Sequence, residues 1–441
     1  LLLLLAGFAQ ASDYQVKIQV KNLPETAKPT LLRIYNGSMF ILDSLATRDG
    51  EWVTFHIPEN TAPGSLRTIL GIPMYGQQPV AFDFLYNRED IELSVDFNNT
   101  DTTIEVIRSK ENTIYFQFKK ADALFFRKLG LLEQVVVNYP DQDEFYKIAQ
   151  EYYKKYQVQR DCFIDETYAA HQNTLAGKII RNQKMPITET NMTAAERDSV
   201  FRADFLEKID FTDTLLLNTD VYTDKVFRYI QMFMKREASP RENETNCIRA
   251  LDQIVPRLDV NPVVQQHLLQ FLIGGFETMK MEEVLAHISA NYLQQCGGSS
   301  DIIKRRLEGY SRMAIGQKVP DFIVNDFNGN PVSLYNTISP YILVLFWHTD
   351  CGHCQVMMKE LPLLAQQKMF SSHQVKMIGI SIDEQKENWE KFSANYQLDW
   401  LNTHIEGGFE NEVAGDYNLF ATPSMFLLDD QYRIIAKPTT I

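Results

Sequence analysis

The stretch that decides the fold of the C-terminal part is YILVLFWHTDCGHC, residues 341–354. Its first half, Tyr341–Trp347, is an unbroken apolar run, which is typical of a strand buried on both faces. Two cysteines follow in the motif Cys351-Gly352-His353-Cys354, which opens a pattern with helical periodicity that runs to Gln367. The sequence therefore predicts a dithiol at the point where a strand ends and a helix begins.

The position of this dithiol predicts its chemistry. A helix N-terminus carries roughly half a positive charge and unpaired N–H groups, and both favour a thiolate over a thiol. Residues 351 and 354 share one helix face, so their sulfur atoms can react with each other or with a substrate sulfur. We expect Cys351 to be the attacking thiol and Cys354, one turn further in, to resolve a mixed disulfide. The imidazolium of His353 is expected to favour the thiolate of Cys351.

Other uses of a Cys-x-x-Cys motif fit the sequence less well. A c-type haem site needs a histidine directly after the second cysteine, where this chain has Gln355. A structural zinc site normally needs a second pair of ligands, and none with suitable spacing follows. Peroxide-reducing cysteines resemble a Pro-x-x-x-Thr-x-x-Cys pattern, but His348 takes the Thr position and the Pro is absent. Binding of a transition metal by His348 and the two cysteines stays open; no metal or cofactor is expected.

A second part of the site is expected at Ala421-Thr422-Pro423-Ser424, where a proline begins a strand. An X–Pro bond adopts the cis form at a cost of only about 0.5–1 kcal/mol, and a cis bond exposes the backbone of the preceding residue. That backbone could pair with an extended substrate strand. We therefore expect Thr422 and Pro423, together with Gly352 and His353, to bind substrate.

Changes in hydrophobic period divide the chain into three domains. Residues 12–107 alternate with period two and predict an antiparallel β-sandwich. Residues 108–313 show helical spacing and predict an all-α domain. From residue 314 to 441, strands alternate with helices and end in a hairpin, which predicts a mixed α/β domain. A chain of 441 residues is long enough for several such domains.

Charge and the N-terminal residues indicate where the protein works. A net charge of −14 without a basic patch argues against nucleic acid as a partner. The apolar run Leu1–Ala9 leads into Ala9-Gln10-Ala11, so residues 1–11 are expected to be the remainder of a secretory signal peptide. No cysteine follows, so a lipoprotein anchor is not indicated. We expect an exported protein that begins near Ser12.

Three further cysteines, Cys162, Cys247 and Cys296, lie far apart in helical sequence. Free Cys often behaves as a small buried hydrophobe, although an oxidising compartment would also allow one structural disulfide among the three. The sequence leaves their pairing open.

The motifs together resemble extracytoplasmic thioredoxin-fold proteins of the TlpA and AhpC/TSA-like group. The resemblance covers residues 314–441 and implies a thioredoxin fold in which Cys351 is the nucleophile, Cys354 the resolving thiol and Pro423 the cis-proline. The β-rich start and helical middle resemble, more weakly, multidomain thioredoxin-like proteins of Bacteroidota. The motifs that carry the resemblance are Gly316-x-x-x-Pro320-Asp321-Phe322, Phe346-Trp347, Cys351-Gly352-His353-Cys354 and Thr422-Pro423.

Three positions depart from the pattern of this group. Leu345 stands where thioredoxins have a buried Asp that accepts the proton of the second thiol, and Met357 stands where TlpA-like reductases often have Glu. Lys359 replaces the Pro of the first helix, and the last helix of the fold is expected to be missing. The usual proton acceptor for Cys354 is therefore absent from its expected position.

The sequence predicts a thiol-disulfide oxidoreductase, acting as a reductase or isomerase on disulfides of exported proteins in the periplasm. The resemblance also implies a membrane electron donor as a partner. The alternative is a non-catalytic binding or scaffold protein that uses a thioredoxin-like domain for docking, which the missing base would permit.

Overall fold

The computed structural model describes residues 14–72, 78–189, 192–293, 301–365, 375–396 and 400–438. The expected signal-peptide remainder at residues 1–11, Cys296 and the end of the helix predicted to reach Gln367 lie outside these ranges. Within them, no helix has both the length and the apolar composition that crossing a membrane requires.

The chain forms two compact units, which do not follow the order of the sequence strictly. The first comprises Leu1–Ser239 with Arg249–Phe271, and the second comprises Pro240–Ile248 with Leu272–Ile441. The domain boundaries expected after residues 107 and 313 stay predictions.

The N-terminal strands form two sheets around a shared core. Residues from both sheets, among them Val16, Phe55 and Phe84, are fully buried in it, which confirms the expected sandwich. Neighbouring strands are antiparallel except those at Tyr14–Lys21 and Ile91–Asp96, which run parallel. In spatial order the first sheet contains β4 (Thr47–Asp49), β5 (Trp52–Ile57), β1 (Tyr14–Lys21), β8 (Ile91–Asp96) and β9 (Glu105–Arg108). The second contains β3 (Ser38–Asp43), β2 (Thr30–Tyr35), β6 (Gly64–Gly71) and β7 (Val80–Tyr86).

The middle of the chain is helical, as predicted. A buried ion pair between Asp122 and Arg160, with oxygen and nitrogen 2.6 Å apart, joins the two longest helices. The helices are α1 (Thr100–Thr103), α2 (Lys110–Asn138), α3 (Glu144–His171), α4 (Leu175–Arg181), α5 (Ala194–Phe205), α6 (Val221–Gln231), α7 (Pro240–Leu258), α8 (Pro262–Thr278), α9 (Glu282–Tyr292) and α10 (Asp301–Arg312). Two short 3₁₀ helices at Leu206–Lys208 and Thr214–Asn218 lie between α5 and α6.

The C-terminal region contains a third, mixed sheet with helices on both faces, which is the α/β fold expected there. In spatial order its strands are β11 (Pro331–Ser333), β10 (Ile323–Asp326), β14 (Leu401–His404), β13 (Val375–Ser381), β12 (Tyr341–Trp347), β15 (Ser424–Asp429) and β16 (Ile434–Ala436). Its helices are α11 (Gly352–Ala365), α12 (Lys386–Tyr396) and α13 (Glu412–Asp416), with a 3₁₀ turn at Gly408–Glu410.

Strand β12 is the centre of this domain, because it pairs in parallel with β13 and antiparallel with β15. Its side chains alternate between two buried faces, as the pleat of a strand requires. Leu345 and Trp347 lie in one core together with Cys354 of α11, whereas Val344 and Phe346 lie in the core on the other face. The apolar run thus fixes the strand between two helical layers, and the end of β12 presents the dithiol at the carboxyl edge of the parallel strands.

Candidate active site

The dithiol lies where the sequence predicted it, between the end of β12 and the start of α11. Cys351 directly precedes Gly352, the first residue of the helix. The main-chain N–H of Cys351 donates to the carbonyl of His348 over 3.2 Å, and the Cys351 carbonyl accepts from the N–H of Gln355 over 2.9 Å. These bonds hold Cys351 at the positive end of the helix dipole.

The two sulfur atoms differ in their access to solvent. Cys351 is partly exposed, whereas Cys354 is 1% exposed and packs against the core under α11. The main-chain N–H of Cys354 donates to the Cys351 sulfur over 3.3 Å. A substrate can therefore reach Cys351 first, and Cys354 lies behind it within the first turn of the helix.

The loop before β15 completes the site, although it lies far from the dithiol in sequence. The Thr422–Pro423 peptide bond is cis, as expected. The Cys351 thiol donates to the Thr422 carbonyl, with sulfur and oxygen 3.3 Å apart. Gly352 and His353 are exposed, and an added Cβ on Gly352 would meet no atom within 4 Å. The surface around the Cys351 sulfur is thus open to a substrate.

Hydrogen bonding and burial shift the pKa values of the two thiols in opposite directions. Partial burial opposes ionisation of Cys351, but hydrogen bonds from the Cys354 side chain and N–H, from the Thr422 side chain and from the His353 main chain outweigh it and lower the Cys351 pKa. Burial, with the hydrogen bond to Cys351, raises the pKa of Cys354 to about 12. His353 contributes here through its main-chain N–H, and the effect of its imidazole stays a prediction.

This difference predicts a selective reaction with alkylating agents. Because only the thiolate reacts, Cys351 of the reduced protein should reach half its maximal alkylation rate at a pH below the ordinary thiol pKa of about 8.5. Cys354 should stay unmodified up to about pH 10, since its thiol remains protonated there. Iodoacetamide labelling between about pH 5 and 10, followed by peptide mass spectrometry, measures both rates. Equal labelling of the two cysteines at neutral pH would contradict the assignment of roles.

A buried carboxylate that the sequence had not revealed lies beside the site. Leu345, at the position of the missing acid, is fully buried and apolar. Asp383 follows β13, has 1% of its side chain exposed and accepts hydrogen bonds from the main-chain N–H and the hydroxyl of Thr349. Its carboxylate also lies 3.5 Å from Nδ1 of His348. Sequence reasoning missed Asp383 because it lies 34 residues beyond Thr349 and belongs to no motif.

The end of α10 contacts the loop that carries Thr422. The ring of Phe420, which is 52% exposed, lies 6.3 Å from the ring of Tyr310. The guanidinium of Arg306 lies 4.9 Å from the centre of the Phe420 ring. It also forms an ion pair with Glu277, with nitrogen and oxygen 3.0 Å apart. Tyr310, Arg306 and Phe420 form a wall beside the open surface next to Thr422, and this wall is called the α10 wall below.

Cys162 and Cys247 do not belong to the site. Cys162 is exposed on α3 and Cys247 is buried in α7, and both are free thiols. Burial raises the pKa of Cys247 to about 11. In the part of the chain that the structure describes, no three His, Cys, Asp or Glu side chains are grouped so that they could hold a metal ion.

Comparisons with known proteins agree with this geometry. The AhpC/TSA family model matches residues 315–437. The thiol-disulfide oxidoreductase ResA of Bacillus subtilis is 25% identical over 132 residues, which cover 30% of this chain and 70% of that protein. ResA of Bacillus anthracis is 26% identical over 127 residues, which cover 29% of this chain and 70% of that protein.

Solved structures give similar matches. A thioredoxin-like protein from Bacteroides caccae aligns with a TM-score of 0.44 and 18% identity, covering 58% of this chain and 94% of that one. The thioredoxin domain of a thiol-disulfide oxidoreductase from Bacteroides vulgatus aligns with a TM-score of 0.27 and 26% identity, covering 29% of this chain and 90% of that one. Taken with the fold, the family match identifies residues 315–437 as a thioredoxin-like domain of the AhpC/TSA type, and the curated relatives that this segment resembles are thiol-disulfide oxidoreductases.

Proposed function

We propose that Cys351 and Cys354 are the redox-active dithiol of this protein, and that it reduces or isomerises disulfides of exported proteins in the periplasm. The observation that carries the proposal is the pairing of a partly exposed thiol of lowered pKa with a buried thiol of raised pKa on one helix turn. The contact between the Cys351 sulfur and the Thr422 carbonyl adds a place for a client strand.

The reaction proceeds in two exchanges. The Cys351 thiolate attacks one sulfur of a client disulfide, so a bond forms between Cys351 and the client while the other client sulfur leaves and takes up a proton. The Cys354 thiol then loses its proton and attacks the Cys351 sulfur. A Cys351–Cys354 disulfide forms, the second client sulfur leaves, and two electrons have passed from the dithiol to the client.

The surroundings of the site suit a polypeptide client. An extended client segment beside Thr422 can pair with its backbone, as in the addition of a strand to a sheet edge. Such a segment would bring its disulfide to Cys351, because the Thr422 carbonyl lies 3.3 Å from that sulfur. The apolar run at residues 1–9 and the small residues around 9–11 support export of the protein. A membrane electron donor would then return the dithiol to its reduced form after each turnover.

A redox titration of the full chain tests this function and gives the direction of electron flow. Thioredoxin and protein disulfide isomerase have potentials of about −270 and −180 mV, and the Gly-His pair between the cysteines resembles that of the isomerase. We expect the Cys351–Cys354 pair to titrate as a two-electron couple with a midpoint between these values. Mass spectrometry of alkylated samples in glutathione buffers measures it.

The exposed thiol of Cys162 provides the control for this titration. A Cys162→Ser variant should titrate like the wild type, because the residue lies on α3 and not in the site. A pair that stays reduced or stays oxidised across the whole range of glutathione buffers would instead support the non-catalytic docking protein.

A further inference from the structure

The ring of Phe420 is an exposed apolar surface on the loop that carries Thr422. It is 52% exposed, whereas Leu419, directly before it, is 5% exposed. Single exposed apolar residues are ordinary on protein surfaces, so exposure alone gives Phe420 no role. Its position relative to the dithiol, and the contacts that hold it, decide whether a client would meet it.

Phe420 lies close to the place where the sulfur of a client would be attacked. It precedes Thr422 by two residues, so their Cα atoms are at most about 7 Å apart. The Thr422 carbonyl in turn lies 3.3 Å from the Cys351 sulfur. A client strand beside Thr422 rises about 3.3 Å per residue, so the second residue from its cysteine is also displaced by about 7 Å. The side chain at that client position is therefore within reach of the Phe420 ring.

The loop that presents Phe420 is fixed at both ends. The N–H of Leu419 donates to the carbonyl of Ala414 over 3.0 Å. The hydroxyl of Ser424 donates to the carbonyl of Ala421 over 2.8 Å. A ring on a loop held in this way is pre-organised, so binding a client against it costs little ordering entropy.

Helix α10 holds the ring itself. The Arg306 guanidinium, 4.9 Å from the ring centre, is within the distance of a cation–π contact, and the Tyr310 ring adds an aromatic contact at 6.3 Å. An added Cβ on Gly309 would lie 2.2 Å from the side-chain oxygen of Asn418, so α10 packs directly against the turn before Phe420. These contacts set the orientation in which the ring faces a client.

The charge of the α10 wall is balanced within the protein. A guanidinium nitrogen of Arg306 lies 3.0 Å from a carboxylate oxygen of Glu277, and the Glu277 side chain is only 20% exposed. Two opposite charges this close have a weak combined field at longer distances, and salt screens it further. What the wall offers a client is therefore the apolar ring of Phe420 and not a free positive charge.

We propose that Phe420 is a specificity-determining residue, which contacts the client side chain two residues from the cysteine under attack and favours an apolar side chain there. This inference rests on the proposed function of the dithiol and deepens it by naming the chemistry of the preferred client. Arg306 and Tyr310 act through Phe420, because they hold its ring beside Thr422.

Matched mixed disulfides test the proposal through the first exchange alone. Each probe is a short peptide whose one cysteine is bonded to a nitroaromatic thiol, with Leu, Ser or Glu at the second position on both sides of the cysteine. The Cys351 thiolate attacks the peptide sulfur, a bond forms between Cys351 and the peptide, and the coloured nitroaromatic thiolate leaves with the bonding electron pair. A fourth probe carries 2-mercaptoethanol in place of the peptide and so lacks both the backbone and the side chain.

Stopped flow with reduced full-length protein measures the rate constant of each release. Each value is corrected for the slower release by Cys351→Ser and divided by the rate constant of the same probe with glutathione, which removes differences in intrinsic reactivity. We expect the wild type to favour the Leu peptide over the Ser peptide by about fivefold, below the roughly 10–200-fold that a closed pocket reaches for one methylene. The Glu peptide should react no faster than the Ser peptide.

Three variants assign the preference to the ring. Phe420→Ala should lower it to less than about twofold while the peptide-free probe keeps its rate within about twofold, because the dithiol is untouched. Phe420→Leu keeps an apolar side chain and should recover most of the preference. Arg306→Met removes the cation over the ring and should give a preference between those of the wild type and Phe420→Ala.

Phe327→Ala is the matched control. Phe327 is 51% exposed, and its ring lies 5.6 Å from that of Trp389. It follows Asp326, which pairs with Thr403, so the chain there runs towards the amino end of β14 and away from the edge that carries the dithiol. This variant should keep the wild-type preference and the wild-type rates.

A wild type that does not distinguish the Leu and Ser peptides would overturn the proposal, and this result needs no variant to fold. Full preference in Phe420→Ala would overturn it as well, and so would equal slowing of all four probes, which would mean general damage to the site. A wild type that prefers the Glu peptide would show selection by charge instead. Release no faster from the wild type than from Cys351→Ser would refute the function of the dithiol, so the two failures are distinguishable.

Discussion

Replacing Cys351 by serine is expected to abolish disulfide exchange, with a loss of turnover of more than about 10³-fold. The physical reason is that the thiolate is the nucleophile, and a serine hydroxyl stays protonated at neutral pH even at a helix N-terminus. Reduction of an insulin-type substrate, followed by the precipitation of its free chain, measures the effect. The fold should be retained, because Cys351 is partly exposed and lies at the edge of the core.

Cys162→Ser is the matched control for this prediction. Cys162 is the more exposed thiol, yet it lies within α3 and away from a helix N-terminus. Removing the Cys162 thiol should leave turnover unchanged. If only Cys351→Ser lowers turnover, the activity depends on the thiol at the helix N-terminus and not on the number of free thiols in the protein. Retention of wild-type turnover by Cys351→Ser would refute the proposed role of the dithiol.

Replacing Cys354 by alanine is expected to trap the protein in mixed disulfides with its clients. The first exchange needs only Cys351, so it should proceed, while turnover falls by roughly 10²-fold or more because no internal thiol can release the client. Non-reducing gels of full-length protein, mixed with a disulfide-containing client, should show a new band that disappears with dithiothreitol. The same band, cut out and analysed by mass spectrometry, identifies the client bonded to Cys351.

The double variant Cys351→Ser/Cys354→Ala completes this experiment. It should form no such band, because the attacking sulfur is absent. Trapping through the double variant would mean that another thiol, such as Cys162, reacts with the client, and it would contradict the assignment of Cys351 as the nucleophile.

The fold of the C-terminal domain was predictable because its determinants are local. An apolar run such as Tyr341–Trp347, which is only seven residues long and rich in aromatic and β-branched residues, favours a strand covered on both faces. The Cys-x-x-Cys motif that follows at once then falls where the strand ends and the next helix begins. The cis bond before Pro423 was expected from the resemblance to thioredoxin-fold proteins, since a proline alone only permits a cis bond.

The parts that escaped prediction depend on pairing between distant segments. The parallel contact of β1 with β8 joins strands separated by most of the sandwich, and a period-two pattern does not say which strands are neighbours. Asp383 looks like an ordinary acidic residue after a strand, and its burial becomes evident only once β13 lies beside β12. Contacts between strand ends are set by register, which one sequence does not reveal.

The α10 wall has a consequence for how this catalytic domain could be transplanted. The family match begins at residue 315, so a graft of that segment into another chain would carry the dithiol and Phe420 but leave Arg306 and Tyr310 behind. It would also leave Gly309, where an added Cβ would lie 2.2 Å from the side-chain oxygen of Asn418. One border of the open surface next to Thr422 is therefore built by residues that lie upstream of the segment matched by the family.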